Sequence, residues 1–91
     1  MPADVVMYRT PYCPYCVRAK MLLERKGVAF TEIDVTGDWD RRAWLAQVTG
    51  RRTVPQIFIN GVSIGGFDDM ALLERSGKLD SLLAAEPDAA Q

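Results

Sequence analysis

Asn60 and Gly61, set between the strand-forming runs QIFI (56–59) and VSI (62–64), constrain this chain more than any other feature. Asn-Gly readily takes the two left-handed conformations of a tight hairpin turn, whose twist matches that of the strands it joins. Residues 56–64 therefore read as an antiparallel hairpin, which is marginal in water unless more strands and a helix cover it. The upstream sequence supplies both. Residues 4–8, DVVMY, read as a short buried strand, and 28–35, VAFTEIDV, alternate and are rich in β-formers. Between them, residues 14–26 have helical spacing: Val17 and Met21 lie one turn apart, as do Ala19, Leu22 and Leu23, and Gly27 is a natural stop. Two strands joined through a helix should lie parallel, with a right-handed crossover.

Asp38 can cap a helix from about Trp39 to Thr49, with Trp44, Leu45 and Val48 inward and Gly50 ending it. After the hairpin, Gly65-Gly66 makes a tight turn, and Asp68 is expected to cap a helix through Ser76, closed by Gly77. A last short helix is expected over 79–85. The order β-α-β-α-β-β-α predicts an α/β protein: a mixed four-stranded sheet flanked by helices on both faces. The chain of 91 residues suits one modest core, so residues 1–85 are read as one domain and EPDAAQ, 86–91, as a frayed tail.

Composition narrows the function. No apolar run approaches the roughly 20 residues of a membrane helix. No basic segment with an apolar stretch opens the chain, so a cytoplasmic protein without a signal peptide is expected. The formal net charge is −1, unevenly spread: nine Lys/Arg against six Asp/Glu in residues 1–52, then two against six in 53–91. Two readings stand: ordinary solvated faces, or a positive rim of Arg9, Arg18, Arg41, Arg42, Arg51 and Arg52 for a small anion. The basic residues are not interleaved with aromatics along one element, so no nucleic-acid partner is expected.

Both cysteines lie in one stretch, TPYCPYC (10–16), in a chain with no histidine. A structural zinc site wants four Cys or His ligands, and two are present. A disulfide across so short a loop removes little chain entropy, and a cytosolic thiol pool would tend to reduce it. Redox chemistry fits better. Pro14 suits the first position of a helix, which puts Cys13 at the N-cap. Its sulfur then meets the free N–H groups and the positive end of the helix dipole, both of which favour thiolate. Cys16 falls one turn on, on the same side and deeper, where it should be less ionised. One exposed thiolate with a partner behind it suits attack followed by resolution, and needs no histidine base.

With these residues in view, the sequence resembles the glutaredoxins, which have the thioredoxin fold, over about residues 4–85. CPYC (13–16) resembles the dithiol active site of that family; TVPQIFING (53–61) and GGFDD (65–69) resemble its two glutathione-binding segments. The resemblance implies a glutathione-dependent thiol–disulfide oxidoreductase that reduces protein–glutathione mixed disulfides and protein disulfides. Cys13 is then the nucleophile and Cys16 the resolving thiol. Glutathione, a co-substrate, would be held by Tyr15, Thr53, Val54, Pro55, Gly66, Phe67 and Asp68. Pro55 would be cis, so that Val54 offers its backbone to the tripeptide. Phe67 and Asp68 would take the γ-glutamyl end, since a helix N-terminus binds carboxylate and the Asp68 carboxylate can meet the α-amine. Each residue also has a plainer reading: Asp68 as a cap, Pro55 as a strand boundary, Phe67 as core. Tyr12 and Pro11 either form an apolar skirt for a partner or pack the loop.

One departure stands out. Many dithiol members carry lysine three residues before the nucleophile, where this chain has Thr10. Arg9 or Arg52, or else Arg41, Arg42 or Arg51, is expected to supply the missing charge, although strand alternation can turn Arg9 the wrong way. Expected partners are glutathione and disulfide-bonded proteins, ribonucleotide reductase being a typical family client. A monomer is expected, with no metal, nucleic acid or membrane. The rivals are a protein reduced by thioredoxin reductase, and an iron–sulfur carrier bridged by Cys13 and glutathione, which in this family goes mainly with single-cysteine sites.

Overall fold

The computed structural model describes residues 3–86, so the expected tail falls, from residue 87 onward, outside the described residues. The elements are β1 (Val5–Arg9), α1 (Pro14–Arg25), β2 (Thr31–Asp34), α2 (Trp39–Thr49), β3 (Gln56–Ile59), β4 (Val62–Gly65), α3 (Phe67–Arg75) and α4 (Lys78–Ala84). The sheet order is β2-β1-β3-β4. β1 and β2 are parallel, with Val6 opposite Thr31 and Arg9 opposite Asp34. β3 runs antiparallel to both β1 and β4. Asn60 and Gly61 have φ of 52° and 79°, the left-handed pair a type I′ hairpin turn requires. Asn60 also accepts from the Asp4 N–H at 2.8 Å and donates to the Ala85 carbonyl at 3.0 Å, tying the hairpin to both ends of the fold.

The pleat sorts the side chains onto two faces. Val5, Met7, Ile57 and Ile59 point to one, where Ala19, Leu22 and Leu23 of α1, Met70 of α3, and Leu79 and Leu83 of α4 cover them. On the other, Tyr8, Val35 and Leu45 form a smaller cluster flanked by Val6, Ile33, Val54 and Phe58. There the Tyr8, Phe58 and Trp44 rings meet with centroids 5.5–5.9 Å apart, within the range where aromatic pairs attract beyond their area.

The structure corrects three expectations. The most buried stripe of α2 is Arg42, Leu45, Ala46 and Thr49; Trp44 lays its ring on Tyr8 and Phe58 but stays 41% exposed, and Val48 is 48% exposed. Two of the inward residues are polar and meet backbone: Arg42 donates to the Arg52 carbonyl, and the Thr49 hydroxyl to the Leu45 carbonyl. Apolar spacing could not find such a stripe. The second strand is only Thr31–Asp34; Val28 and Phe30 pack on the core without joining the ladder. Finally, α3 is capped by Gly66, not Asp68. Its N–H donates to Asp69 Oδ2 at 2.9 Å, as at the third residue of a capping box.

The charge asymmetry has a structural answer. Lys26, after α1, reaches Glu74 at 2.6 Å and Asp80 at 2.9 Å, joining α1 to α3 and α4. Arg51 reaches Asp69. Lys26 and Arg51 thus join the basic first half to the acidic second, while Arg9 and Lys20 pair with Glu32 and Asp34 inside the first.

Candidate active site

Pro14 opens α1 and Cys13 caps it with extended backbone, φ −97° and ψ 114°. The Cys16 N–H donates to Cys13 Sγ at 3.1 Å, and the Cys13 thiol donates to the Val54 carbonyl at 3.5 Å. Both cysteines are free thiols; Cys13 is partly exposed and Cys16 buried. Burial first, then the hydrogen bond with Cys13, push the Cys16 thiol up to about 12, against opposing pulls from the Thr10 backbone and the Arg9 charge. Cys16 is therefore a protonated reserve directly behind an accessible sulfur, and it loses its proton only when a reaction draws it out.

Beside Cys13 lies a cleft of about 300 Å³ built by three segments: Tyr15 on α1, the loop before β3, and the start of α3. The Val54–Pro55 peptide is cis. Gln56, fully buried, holds this loop through its Nε2 donation to the Thr53 carbonyl at 2.9 Å. Tyr15 and Phe67 face each other with centroids 6.5 Å apart, and the Arg18 guanidinium lies 5.2 Å from the Tyr15 ring centre. Gly66 backs onto the loop so closely that a Cβ there would sit 3.3 Å from the Pro55 carbonyl oxygen.

Tyr15, Thr53, Val54, Pro55, Gly66, Phe67 and Asp68 all line this one cleft. Arg9 and Arg52 do not. The parallel register sets Arg9 opposite Asp34, so its guanidinium lies 3.3 Å from Glu32 and 3.5 Å from Asp34. It borders a different pocket, of about 270 Å³, behind Cys16 and beside Thr10 and Lys20. Arg52 faces Arg42 and Leu45 on the far side of the loop.

Two further residues line the cleft: Arg51, one of the cations expected to stand in for the lysine, and Asp69, which the sequence reading missed. Arg51 and Asp69 form a two-point ion pair, Nη1 to Oδ2 at 2.5 Å and Nη2 to Oδ1 at 3.3 Å. Arg51 first, then the Gly66 N–H, hold the Asp69 carboxyl below the usual carboxylate range. The Gly-x-x-Asp spacing at 66–69 was the available signal. Among the described residues, no group of three His, Cys, Asp or Glu side chains is placed to hold a metal ion.

A thiol at a helix N-cap, a buried second thiol one turn away and an adjoining peptide-sized cleft form a site for disulfide exchange. Comparison with known proteins agrees: the Glutaredoxin family profile matches residues 5–64. The chain belongs to the glutaredoxin family. A curated glutaredoxin of Pseudomonas aeruginosa is 57% identical over 89% of this chain and 96% of its own length. The solution structure of glutaredoxin from Brucella melitensis is 53% identical, covers 91% of this chain and 90% of its own, and superposes with a TM-score of 0.82. A crystal structure of a buckwheat glutaredoxin–glutathione complex is 39% identical over 89% of this chain and 76% of its own, with a TM-score of 0.84. The sheet and helices of this glutaredoxin thus have the thioredoxin-like arrangement of its relatives. Among the described residues, no helix is long and apolar enough to cross a membrane.

Proposed function

We propose that this glutaredoxin uses glutathione to reduce protein–glutathione mixed disulfides and protein disulfides, with Cys13 as the attacking sulfur and Cys16 as the resolving one. The observation that carries this reading is the position of Cys13 Sγ. It accepts the Cys16 N–H and faces the Val54 carbonyl at the edge of the Tyr15–Phe67 cleft.

In the one-thiol route, Cys13 attacks the glutathione sulfur of a mixed disulfide. The S–S bond to the protein breaks, the protein thiolate leaves and takes a proton from solvent, and Cys13 holds the glutathionyl group. A second glutathione then attacks that group, releasing glutathione disulfide and the Cys13 thiolate. In the two-thiol route, Cys13 attacks a protein disulfide, and Cys16 gives up its proton and attacks Cys13 Sγ. The reduced protein leaves, and a Cys13–Cys16 disulfide remains. Two glutathiones restore the dithiol and become one glutathione disulfide. Exchange is favoured when the leaving sulfur is the more acidic thiol.

Glutathione is read into the cleft, with its backbone along Val54, its γ-glutamyl carboxylate at the α3 N-terminus and its α-amine at Asp68. Phe67 and Tyr15 form the apolar wall. We read the protein as a cytoplasmic monomer, with disulfide-bonded proteins such as ribonucleotide reductase as clients. The test is NADPH consumption during reduction of a glutathione mixed disulfide, coupled through either glutathione and glutathione reductase or thioredoxin reductase alone. Turnover only in the first arm supports the reading. Turnover only in the second overturns it.

A further inference from the structure

A second depression opens on the other side of Cys13, and the glutathione chemistry does not use it. It encloses about 400 Å³ and is lined by Pro11, Tyr12, Gly37, Trp39 and Arg42 among others. Tyr12 and Trp39 are 95% and 76% exposed. Large aromatics left this open beside a reactive sulfur are the side chains that anchor protein partners.

Sheet order fixes its position. β1 leads into the cysteine loop; the glutathione cleft is built from the segments around β3 and β4, on one side of β1. The groove is built from the β2–α2 turn, on the other. Tyr12 and Tyr15 therefore flank Cys13 towards opposite edges of the sheet. A client chain whose sulfur reaches Cys13, with one arm along Val54, must carry its other arm across Pro11 and Tyr12 towards Trp39. Glutathione, a tripeptide ending in its own arm, never reaches there.

The charges around the groove select the arm. Arg42 is the one charged residue lining it among the described residues. Asp38 and Asp40 line an adjoining depression that shares Thr36, Gly37 and Trp39 with the groove. Asp38 is committed to the Arg41 N–H at 3.0 Å, and Arg42 spends one Nη2 hydrogen on the Arg52 carbonyl, which leaves its other N–H groups for the groove. Arg41 itself lies over the Tyr8 and Trp44 rings.

We propose that the groove between Tyr12 and Trp39 docks the far arm of a protein disulfide substrate, taking an apolar side chain between the two rings and a carboxylate at Arg42. The proposal rests on the oxidoreductase reading of Cys13 and adds the kind of client that the site prefers.

The test compares three substrates: two synthetic peptides closed by the same internal disulfide, one flanked by Leu-Glu and the other by Ser-Lys, and the mixed disulfide of glutathione with 2-mercaptoethanol. The wild type should favour the Leu-Glu peptide by about tenfold in kcat/KM. Trp39→Ala should bring that preference to within about twofold with turnover of the small mixed disulfide unchanged, and Arg42→Gln should bring it equally low whatever the loss of its bond to the Arg52 carbonyl does to the mixed disulfide. Equal use of both peptides by the wild type, or neither, overturns the proposal. So does a Trp39→Ala loss of equal size on all three substrates, which would make Trp39 a support of the cysteine loop. Failure of the small mixed disulfide alone would refute the glutathione reading, and the peptide ratio would still decide the groove.

Discussion

Gly65 ends β4 with φ at +100°, and the Asp69 carboxylate sits where its side chain would be. A Cβ built there meets Asp69 Oδ2 and lies 2.7 Å from Cγ and 3.0 Å from Cβ. Gly65→Ala should therefore destabilise the protein in two ways. Holding a side-chain-bearing residue at positive φ costs about 1–2 kcal/mol. Moving Asp69 aside breaks its bond from the Gly66 N–H, and a hydrogen bond to a charged group contributes about 1.5–3 kcal/mol, with the low end apt for a half-open site. The sum is about 3 kcal/mol, a large part of the roughly 5–15 kcal/mol that holds a domain folded. The two parts separate in a cycle with Asp69→Ala, which removes the carboxylate, the two nearest obstructing atoms and the hydrogen bond, and leaves only the Cβ at 3.0 Å. In that background Gly65→Ala should cost the conformational part, about 1–2 kcal/mol, plus the small shift that the remaining Cβ contact demands. Urea unfolding of the four proteins, read by far-ultraviolet circular dichroism, measures all four corners. If Gly65→Ala costs the same with and without the Asp69 side chain, the steric argument is wrong.

Cys13→Ser should abolish turnover, whereas Cys16→Ser should keep reduction of a small glutathione mixed disulfide and lose reduction of an internal protein disulfide; steady-state rates on both substrates check this. Arg51→Ala should raise KM for the glutathione mixed disulfide more than it lowers kcat, because it leaves an unpaired Asp69 carboxylate on the cleft wall; restoration by the double variant Arg51→Ala/Asp69→Asn would show that charge is the cause, and its failure would point to shape. The Asp69 carboxyl is lowered by folding, so the stability it contributes is present above its unfolded value of about 3.8 and is lost as pH falls through the folded one; acid unfolding of Asp69→Asn should be correspondingly flatter below pH 4. Cys16 shifts the other way: the folded protein keeps its proton to about 12 while the unfolded chain loses it near 9.0, so stability should fall as pH rises between them, and Cys16→Ala should remove that part of the slope in alkaline urea titrations.

The fold was legible wherever one residue type carried one geometric demand. Asn60-Gly61 required a hairpin turn, Pro14 required a helix start, and the short apolar runs at 4–8 and 56–59 marked β1 and β3. It was illegible where polar side chains did structural work. Arg42 and Thr49 turn inward on α2 because each finds a backbone carbonyl, which a hydropathy pattern does not record. The cleft residues found through the family resemblance do come together, since their motifs place whole segments. The charged residues divided: Asp68 and Arg51 line the cleft, whereas Arg9 and Arg52 lie outside it. Arg9 was sought in the cleft but is drawn to Glu32 and Asp34 by the β1–β2 register, a pairing visible only once the strands are aligned. Asp68 and Asp69 are adjacent carboxylates with opposite fates, and only the position of the Gly66 cap tells them apart.

The two faces of the sheet are unequally loaded. Eleven buried residues join β1 and β3 to α1, α3 and α4, while three form the cluster under α2. Amide exchange should therefore be fastest along α2 and slowest in β1, β3 and α1, because local opening follows the least buried apolar surface. The thiol pair, on α1, is anchored to the slow side, as is the Phe67 wall of the cleft, while Val54 packs on the cluster under α2. Trp39 and Arg42 ride on the fast one, so the groove between Tyr12 and Trp39 has one wall that can breathe while the sulfurs keep their spacing.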